Sequence, residues 1–168
     1  GTAWFVEECG TNDLFAGRIY LISENAEQFC GTFLLDDVRV NEGKWFFAVR
    51  LLENSGVQIG WATDGFQPSR NVAIGQDEFS SALSADELGA APGDVCGCGI
   101  EIDGKVVKIS FWLNGRLPRT AFKPERTIGS TFFPGVTLKV NAFSISCCEW
   151  IFSPDDLRDC PLPNGFKP

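Results

Sequence analysis

Few residues in this chain could carry out catalysis. The chain contains no histidine, and Ser-His-Asp or Cys-His catalysis needs an imidazole with a pKa near neutrality. A Ser-Lys dyad would need no imidazole, but no recognisable motif surrounds one. Glu101 and Asp103 would share a strand face about 5–10 Å apart, as glycosidases require, although Asp103 followed by Gly104 is typical of a tight turn. We therefore predict a protein that is not an enzyme.

Thiol ligands for a metal are a second possibility. Seven cysteines is an odd number, so not all of them can pair within the chain. Cys96 and Cys98 would share one strand face, and Cys147 or Cys148 could lie on a neighbouring strand. A structural zinc site favours Cys-x2-Cys pairs or histidines, and the sequence has neither. We expect reduced, buried cysteines in a cytoplasmic protein that holds no metal and no cofactor.

The elements that must position any site are predicted to be strands. The chain has 168 residues with 44 % hydrophobic content, enough for one domain with its own core. Most segments alternate with period two and break at Gly, Pro or Asn, which indicates an all-β, two-sheet antiparallel sandwich. Residues 84–88 could form one helical turn, capped by Ser84 with Glu87 three residues later. The predicted strands are residues 18–23, 29–35, 43–51, 57–62, 95–103, 106–113, 116–122, 131–138 and 142–152.

Two turns organise these strands. Glu53-Asn54-Ser55-Gly56 separates two aromatic and β-branched segments, so we predict that residues 43–51 and 57–62 form a central antiparallel hairpin. Asn114-Gly115 is the strongest short hairpin signal in the chain. We expect four of the tryptophans to pack in the core of the sandwich, namely Trp45, Trp61, Trp112 and Trp150.

Charge and hydropathy restrict the partners. The net charge of −8 argues against nucleic acid, whose phosphates require a basic footprint. Residues 104–126 are locally basic and could dock an acidic partner, although solvated strand faces also explain them. No apolar run approaches the roughly 18 residues that a bilayer crossing needs, and the N-terminus is acidic rather than signal-like. Because the chain contains no Met, we expect a module excised from a larger protein.

Six segments in this order resemble a SPRY domain, the sandwich core shared with B30.2 modules. The resemblance extends from about Arg18 to the C-terminus, and it is closest to the SPRY domains of ryanodine receptors and large ubiquitin ligases. Residues 81–87 depart from it, because the family commonly has an aromatic-Asp-Gly turn there. The matching segments are residues 43–47, 57–62, 75–80, 93–98, 109–115 and 132–136, followed by an aromatic-Pro ending at 164–168.

The resemblance implies binding through loops gathered at one end of the sandwich. Candidate loops are residues 36–39, 63–70, 81–89 and 114–116, since rigid scaffolds commonly carry their binding residues on loops. Phe66 is either a plug that closes the sandwich end or a binding anchor. The residues predicted to contact a partner are Asp37, Asp64, Phe66, Gln67 and Arg70.

The predicted function is that of a non-catalytic protein-interaction module. In a ubiquitin ligase it would recognise a substrate peptide or domain, and in a ryanodine-receptor-like channel it would dock against other domains of its own chain. A carbohydrate-binding sandwich is a third possibility, which would require exposed coplanar aromatic rings. We expect residues 1–17 to form an extension that packs on the sandwich of residues 18–168.

Overall fold

The computed structural model describes residues 2–4, 10–13, 18–35, 38–53, 56–122, 124 and 130–151. Within those ranges the chain forms strands, turns and bends and no helix, which confirms the all-β prediction. The strands are β1 (Thr2–Trp4), β2 (Gly10–Asp13), β3 (Arg18–Ile22), β4 (Phe29–Leu34), β5 (Gly43–Glu53), β6 (Val57–Ala62), β7 (Ser80–Ser84), β8 (Val95–Asp103), β9 (Val106–Leu113), β10 (Arg116–Phe122), β11 (Phe133–Val140) and β12 (Ile145–Ile151).

These strands form two sheets that pack as a sandwich. The five-stranded sheet has the order β1-β4-β11-β6-β7, and the seven-stranded sheet has the order β10-β9-β8-β5-β12-β3-β2. All of their pairings are antiparallel. Alternate residues of each strand point inward, because side chains in a strand alternate between its two faces. The core therefore lies between the sheets, where Val49, Ile59, Ile100 and Val136 are buried together.

The predicted central hairpin is wrong. β5 pairs with β8 and β12 in the seven-stranded sheet, whereas β6 pairs with β7 and β11 in the other. The chain crosses the sandwich between them, so that Phe47 of β5 contacts Trp61 of β6 across the core, with ring centroids 5.4 Å apart. Turn residues specify a reversal of direction, but they do not specify whether the next strand pairs with the previous one or faces it.

The strongest turn predictions are confirmed. β9 and β10 are joined by Asn114-Gly115, and both residues have positive φ angles, 52° and 74°. A two-residue turn with two positive φ angles is the geometry that Asn-Gly favours. The predicted cap is also present, since Glu87 N donates to Ser84 Oγ at 3.1 Å and Ser84 N donates to Glu87 Oε1 at 3.3 Å.

Three strands were not predicted as strands. β7 falls within a segment assigned to a loop, because three serines and an alanine among its five residues have weak strand propensity. β1 and β2 fall within the first 17 residues and pair with β4 and β3. The division of the chain after residue 17 stays a prediction.

The topology gives the sandwich two distinct ends. The pairing registers place the connections that follow β3, β5, β7, β9 and β11 at one end, which we call the Phe143 end. Those that follow β4, β6, β8 and β10 lie at the other end, which we call the Arg39 end. Of the candidate loops, residues 38–39 and the start of 63–70 lie at the Arg39 end, whereas 114–116 and the part of 81–89 that follows β7 lie at the Phe143 end. The predicted loops are therefore not all gathered together.

Candidate functional site

The connection between β6 and β7, residues 63–79, covers the outer face of the five-stranded sheet. Ile74 N donates to Thr137 Oγ1 at 2.9 Å, and that hydroxyl shares a 2.8 Å hydrogen bond with Thr32 Oγ1. Both threonines are fully buried although they lie on the outward side of their strands. Gly135 makes room for the cover, because a Cβ there would lie 2.7 Å from both Ile74 Cδ1 and Leu34 Cδ2.

Phe66 is part of this cover. Its side chain is only 6 % exposed and packs in an outer apolar cluster with Leu34, Ala62, Ile74 and Phe133. Phe66 therefore covers the outer face of the five-stranded sheet and does not close an end of the sandwich, and its role as a contact residue stays a prediction. The ring could touch a partner only by leaving this cluster, so it is a poor direct contact.

The covering segment is tied down at both ends of the sandwich. At the Arg39 end, Asp64 pairs with Arg39. At the Phe143 end, Arg70 Nη2 lies 2.5 Å from Glu27 Oε2, and its guanidinium lies 4.6 Å above the centre of the Phe29 ring. Cys30 reinforces this anchor, since its backbone N donates to the Arg70 carbonyl at 2.9 Å.

The predicted contact residues therefore do not form one cluster. Asp64 lies at one end of the sheet and Arg70 near the other, separated by about the length of β4, roughly 17 Å at about 3.3 Å per residue. Gln67 lies between them and is exposed. Asp37 lies outside the described residues, so its role stays a prediction.

A compact candidate surface remains at the Arg39 end. Two apolar side chains, Val38 and Phe79, are 46 % and 43 % exposed. Val38 precedes Arg39 in the chain, and Phe79 packs beside Gly65, which follows Asp64. We call these five residues the Arg39 surface. Gly65 lets the Phe79 ring lie close to the backbone, since a Cβ there would lie 2.4 Å from Phe79 Cδ1. Exposed apolar side chains next to charged side chains are also found together in protein–protein interfaces.

The backbone beneath this surface is held in place. Thr63 donates twice to the Phe79 carbonyl, from its backbone N at 2.9 Å and from Oγ1 at 3.0 Å. The Arg39 guanidinium also lies 4.9 Å from the centre of the Phe133 ring. The exposure of Val38 and Phe79 was not predicted from the sequence, because an isolated apolar residue in a loop has no periodicity that indicates its exposure.

The carboxylates considered for catalysis have a structural explanation. Glu101 lies on the outer face of the seven-stranded sheet, 3.4 Å from Lys44 Nζ and 3.8 Å from Lys108 Nζ. Asp103 is the last residue of β8 and pairs with Val106 across the turn. The locally basic stretch is also divided, because Lys105 lies at the Arg39 end, Lys108 binds Glu101, and Arg116 lies at the Phe143 end.

The described cysteines are buried, and no disulfide bond joins any two of them. Burial raises the pKa of the Cys98 thiol well above its usual value, an effect that the Trp61 indole N–H partly offsets. Burial likewise raises the pKa of Cys148. Both thiols therefore remain protonated at neutral pH and pack as small hydrophobic side chains. In the described part of the chain, no three His, Cys, Asp or Glu side chains are grouped to hold a metal ion.

Trp61 and Trp150 belong to the core between the sheets, as predicted. Trp112 is also buried, but in a separate cluster with Phe46 and Ala48 on the outer face of the seven-stranded sheet. Trp45 is partly buried, and its indole N–H donates to the Glu42 carbonyl at 2.8 Å. A carbohydrate platform built on Trp45 and Trp61 would need both rings exposed, and the burial of Trp61 argues against it.

Comparisons with known proteins agree with this architecture. A family model described as SPRY domain matches residues 44–152, about two thirds of the chain. The solved SPRY domain of human HERC1 is similar in structure, with a TM-score of 0.58 and 14 % sequence identity over 85 % of this chain and 92 % of that one. At that identity the likeness concerns the fold. None of the described residues belongs to a helix that could span a membrane.

Proposed function

This chain belongs to the SPRY family, whose members are generally protein-interaction modules, and we propose that it recognises a partner peptide or domain through the Arg39 end of its sandwich. The observation that carries this proposal is the Arg39 surface, which combines exposed Val38 and Phe79 with a pair of opposite charges. Interfaces commonly combine exposed apolar side chains, which supply contact area, with charged groups that fix the orientation of the partner.

The charge pair suits a recognition role. The side chains of Arg39 and Asp64 are 42 % and 67 % exposed, and exposed ion pairs contribute only about 0–1 kcal/mol to stability. A partner can therefore exchange this pair for its own charged groups at little cost to the fold. The covering segment behind Asp64 is packed through Phe66, so the surface is largely preformed and loses little entropy on binding.

The kind of partner depends on the larger protein to which the module belongs. In a ubiquitin ligase the domain would select a substrate, and in a ryanodine-receptor-like channel it would dock against neighbouring domains of the same chain. We favour the first, because a compact polar and apolar surface at one end of a sandwich suits a separate ligand. In both settings the domain works in the cytoplasm, binds no nucleic acid, does not insert into a membrane, and performs no catalysis.

The proposal is tested by affinity capture with the domain and with variants of the Arg39 surface. The variant Arg39→Ala with Phe79→Ser is compared with Lys108→Ala, a charge removal on the opposite sheet. A captured protein is then purified and titrated against each form. We expect at least tenfold weaker binding by the double variant and unchanged binding by Lys108→Ala. Equal affinities of the correctly folded double variant and the wild type would refute the proposal.

A further inference from the structure

Phe143 is an unusual residue at the Phe143 end. Its side chain is 74 % exposed, and its φ angle of +53° lies in the left-handed region. A bulky residue in that region is a genuine outlier, because its Cβ crowds the backbone. Glycine or asparagine would adopt the same turn more easily. The fold itself therefore gains nothing from an aromatic residue here. The backbone would be less strained with glycine at this position, and the exposed ring buries little apolar surface.

The turn that carries Phe143 is rigidly held. Phe143 N donates to the Asn25 carbonyl, and Ser23 N donates to the Ser144 carbonyl, both at 2.9 Å. Within the turn, Asn141 N donates to Ser144 Oγ at 2.9 Å, and that hydroxyl donates to the Asn141 carbonyl at 2.7 Å. The ring is thus presented on a backbone fixed by the neighbouring β3–β4 connection.

The apolar surface continues from the turn onto the sheet. Ile145 begins β12, is 38 % exposed, and pairs with Ile22 of β3. The alternation of both strands places these two isoleucines on the outer face, since Cys148 and Ile19 of the same strands belong to the core. Phe143, Ile145 and Ile22 therefore make a projecting ring with a flat apolar shoulder, which we call the Phe143 knob.

We propose that the Phe143 knob inserts into an apolar pocket of a folded partner domain that carries basic groups at the rim of the pocket. The shape supports a folded partner, because a ring on a projecting turn offers no groove for a peptide, and the partner must supply the concave surface. This site is separate from the Arg39 surface, so it extends the proposed function and does not depend on it.

The charge beside the knob specifies the rim of the pocket. Residues 23–27 and 141–144, the two connections that hold the ring, include Glu24 and Glu27 and no basic residue. Glu27 is engaged by Arg70, whereas Glu24 is exposed next to the turn. Complementary potentials across an interface steer association and fix orientation. A basic residue of the partner opposite Glu24 completes the recognition.

Photo-cross-linking identifies the partner. Benzoyl-phenylalanine is placed at position 143, and at Val106 as a control, because Val106 is 61 % exposed at the opposite end. The cross-linked domain is identified, purified and titrated against the wild type, Phe143→Gly, Glu24→Lys and Val106→Ser. The proposal expects cross-links from position 143 to apolar residues of a folded domain.

The expected binding pattern is specific. Phe143→Gly should weaken the affinity at least tenfold while the Tm stays unchanged or rises by about 2–4 °C, because glycine relieves the backbone strain. Glu24→Lys should weaken it several-fold, and Val106→Ser should leave it unchanged. The proposal is overturned if Phe143→Gly binds as tightly as the wild type or lowers the Tm, or if position 143 cross-links only to a flexible peptide or to a second copy of this chain.

Discussion

The two ends of the sandwich present apolar side chains in different ways. At the Arg39 end, Val38 and Phe79 lie beside an exposed ion pair on longer connections, one of which continues across the sheet as a cover. At the Phe143 end, a four-residue connection holds a single ring outward by backbone hydrogen bonds to its neighbour. The first surface can exchange side-chain partners, whereas the second offers one fixed shape.

The exposure of an aromatic side chain has a different meaning on different backbones. Phe66 and Phe79 belong to the same connection, yet one is buried in the cover and the other lies on its surface. Phe143 is exposed on a backbone that disfavours it. A surface ring on relaxed backbone is common, but a surface ring that also strains its backbone indicates a role outside folding.

The largest effect on stability should come from the cover. Phe66→Ala should lower the free energy of unfolding by about 3 kcal/mol, because it empties a closed apolar cluster. Urea denaturation of this variant and of Phe79→Ala, a matched change on the exposed side, measures the difference. We expect the second change to cost less than about 1 kcal/mol. Equal losses would mean that Phe66 does not hold the cover in place.

A smaller, pH-dependent effect is expected at the Phe143 end. Hydrogen bonds from Ala91 N at 2.9 Å and from Asn114 Nδ2 at 3.1 Å lower the pKa of Asp94. Because the folded pKa lies below the unfolded one, the stabilisation is complete above the unfolded value and is lost as the pH falls through the folded value.

Asp94→Asn tests this effect. The difference between the unfolding free energies at pH 7 and at about pH 3 should be smaller for the variant than for the wild type. We expect a reduction well below about 1 kcal/mol, because water screens this solvent-facing carboxylate. Asp77→Asn, a carboxylate at the opposite end, is the control. If Asp94→Asn keeps the full acid sensitivity of the wild type, the Asp94 hydrogen bonds do not stabilise the folded state.

The smallest effect on stability should come from the Arg39 surface. Arg39→Ala should change the free energy of unfolding by less than about 1 kcal/mol, because both partners of its ion pair are exposed. A double-mutant cycle with Asp64→Ala, followed by thermal unfolding, isolates the pair. A coupling free energy above about 2 kcal/mol would show that the ion pair holds the covering segment in place. The Arg39 surface would then be as firmly fixed as the Phe143 turn.

Local signals in the sequence predicted much of the fold. Alternation located β8 and β9 at their observed bounds, and Asn114-Gly115 located the turn into β10. β7 was not predicted because its position depends on a distant residue and not on its own sequence. It lies close to Gly60 of β6, where a Cβ would be 1.9 Å from the Ser81 carbonyl oxygen. The exposure of the loop aromatics was harder to predict, since neither Phe66 nor Phe79 has a periodic neighbour that indicates the direction of its ring.

The all-β class, the tight turns, the apolar core and the lack of any imidazole follow from residue type and from spacings of a few residues, so they can be predicted before the chain is folded. In contrast, the packing of β5 against β6 across the core and the positions of Asp64 and Arg70 near opposite ends are visible only in the folded chain. Such choices depend on pairings between distant strands, as in Leu51 with Cys148. The free energy of those pairings comes from burying two sheets against each other, and no short segment encodes it.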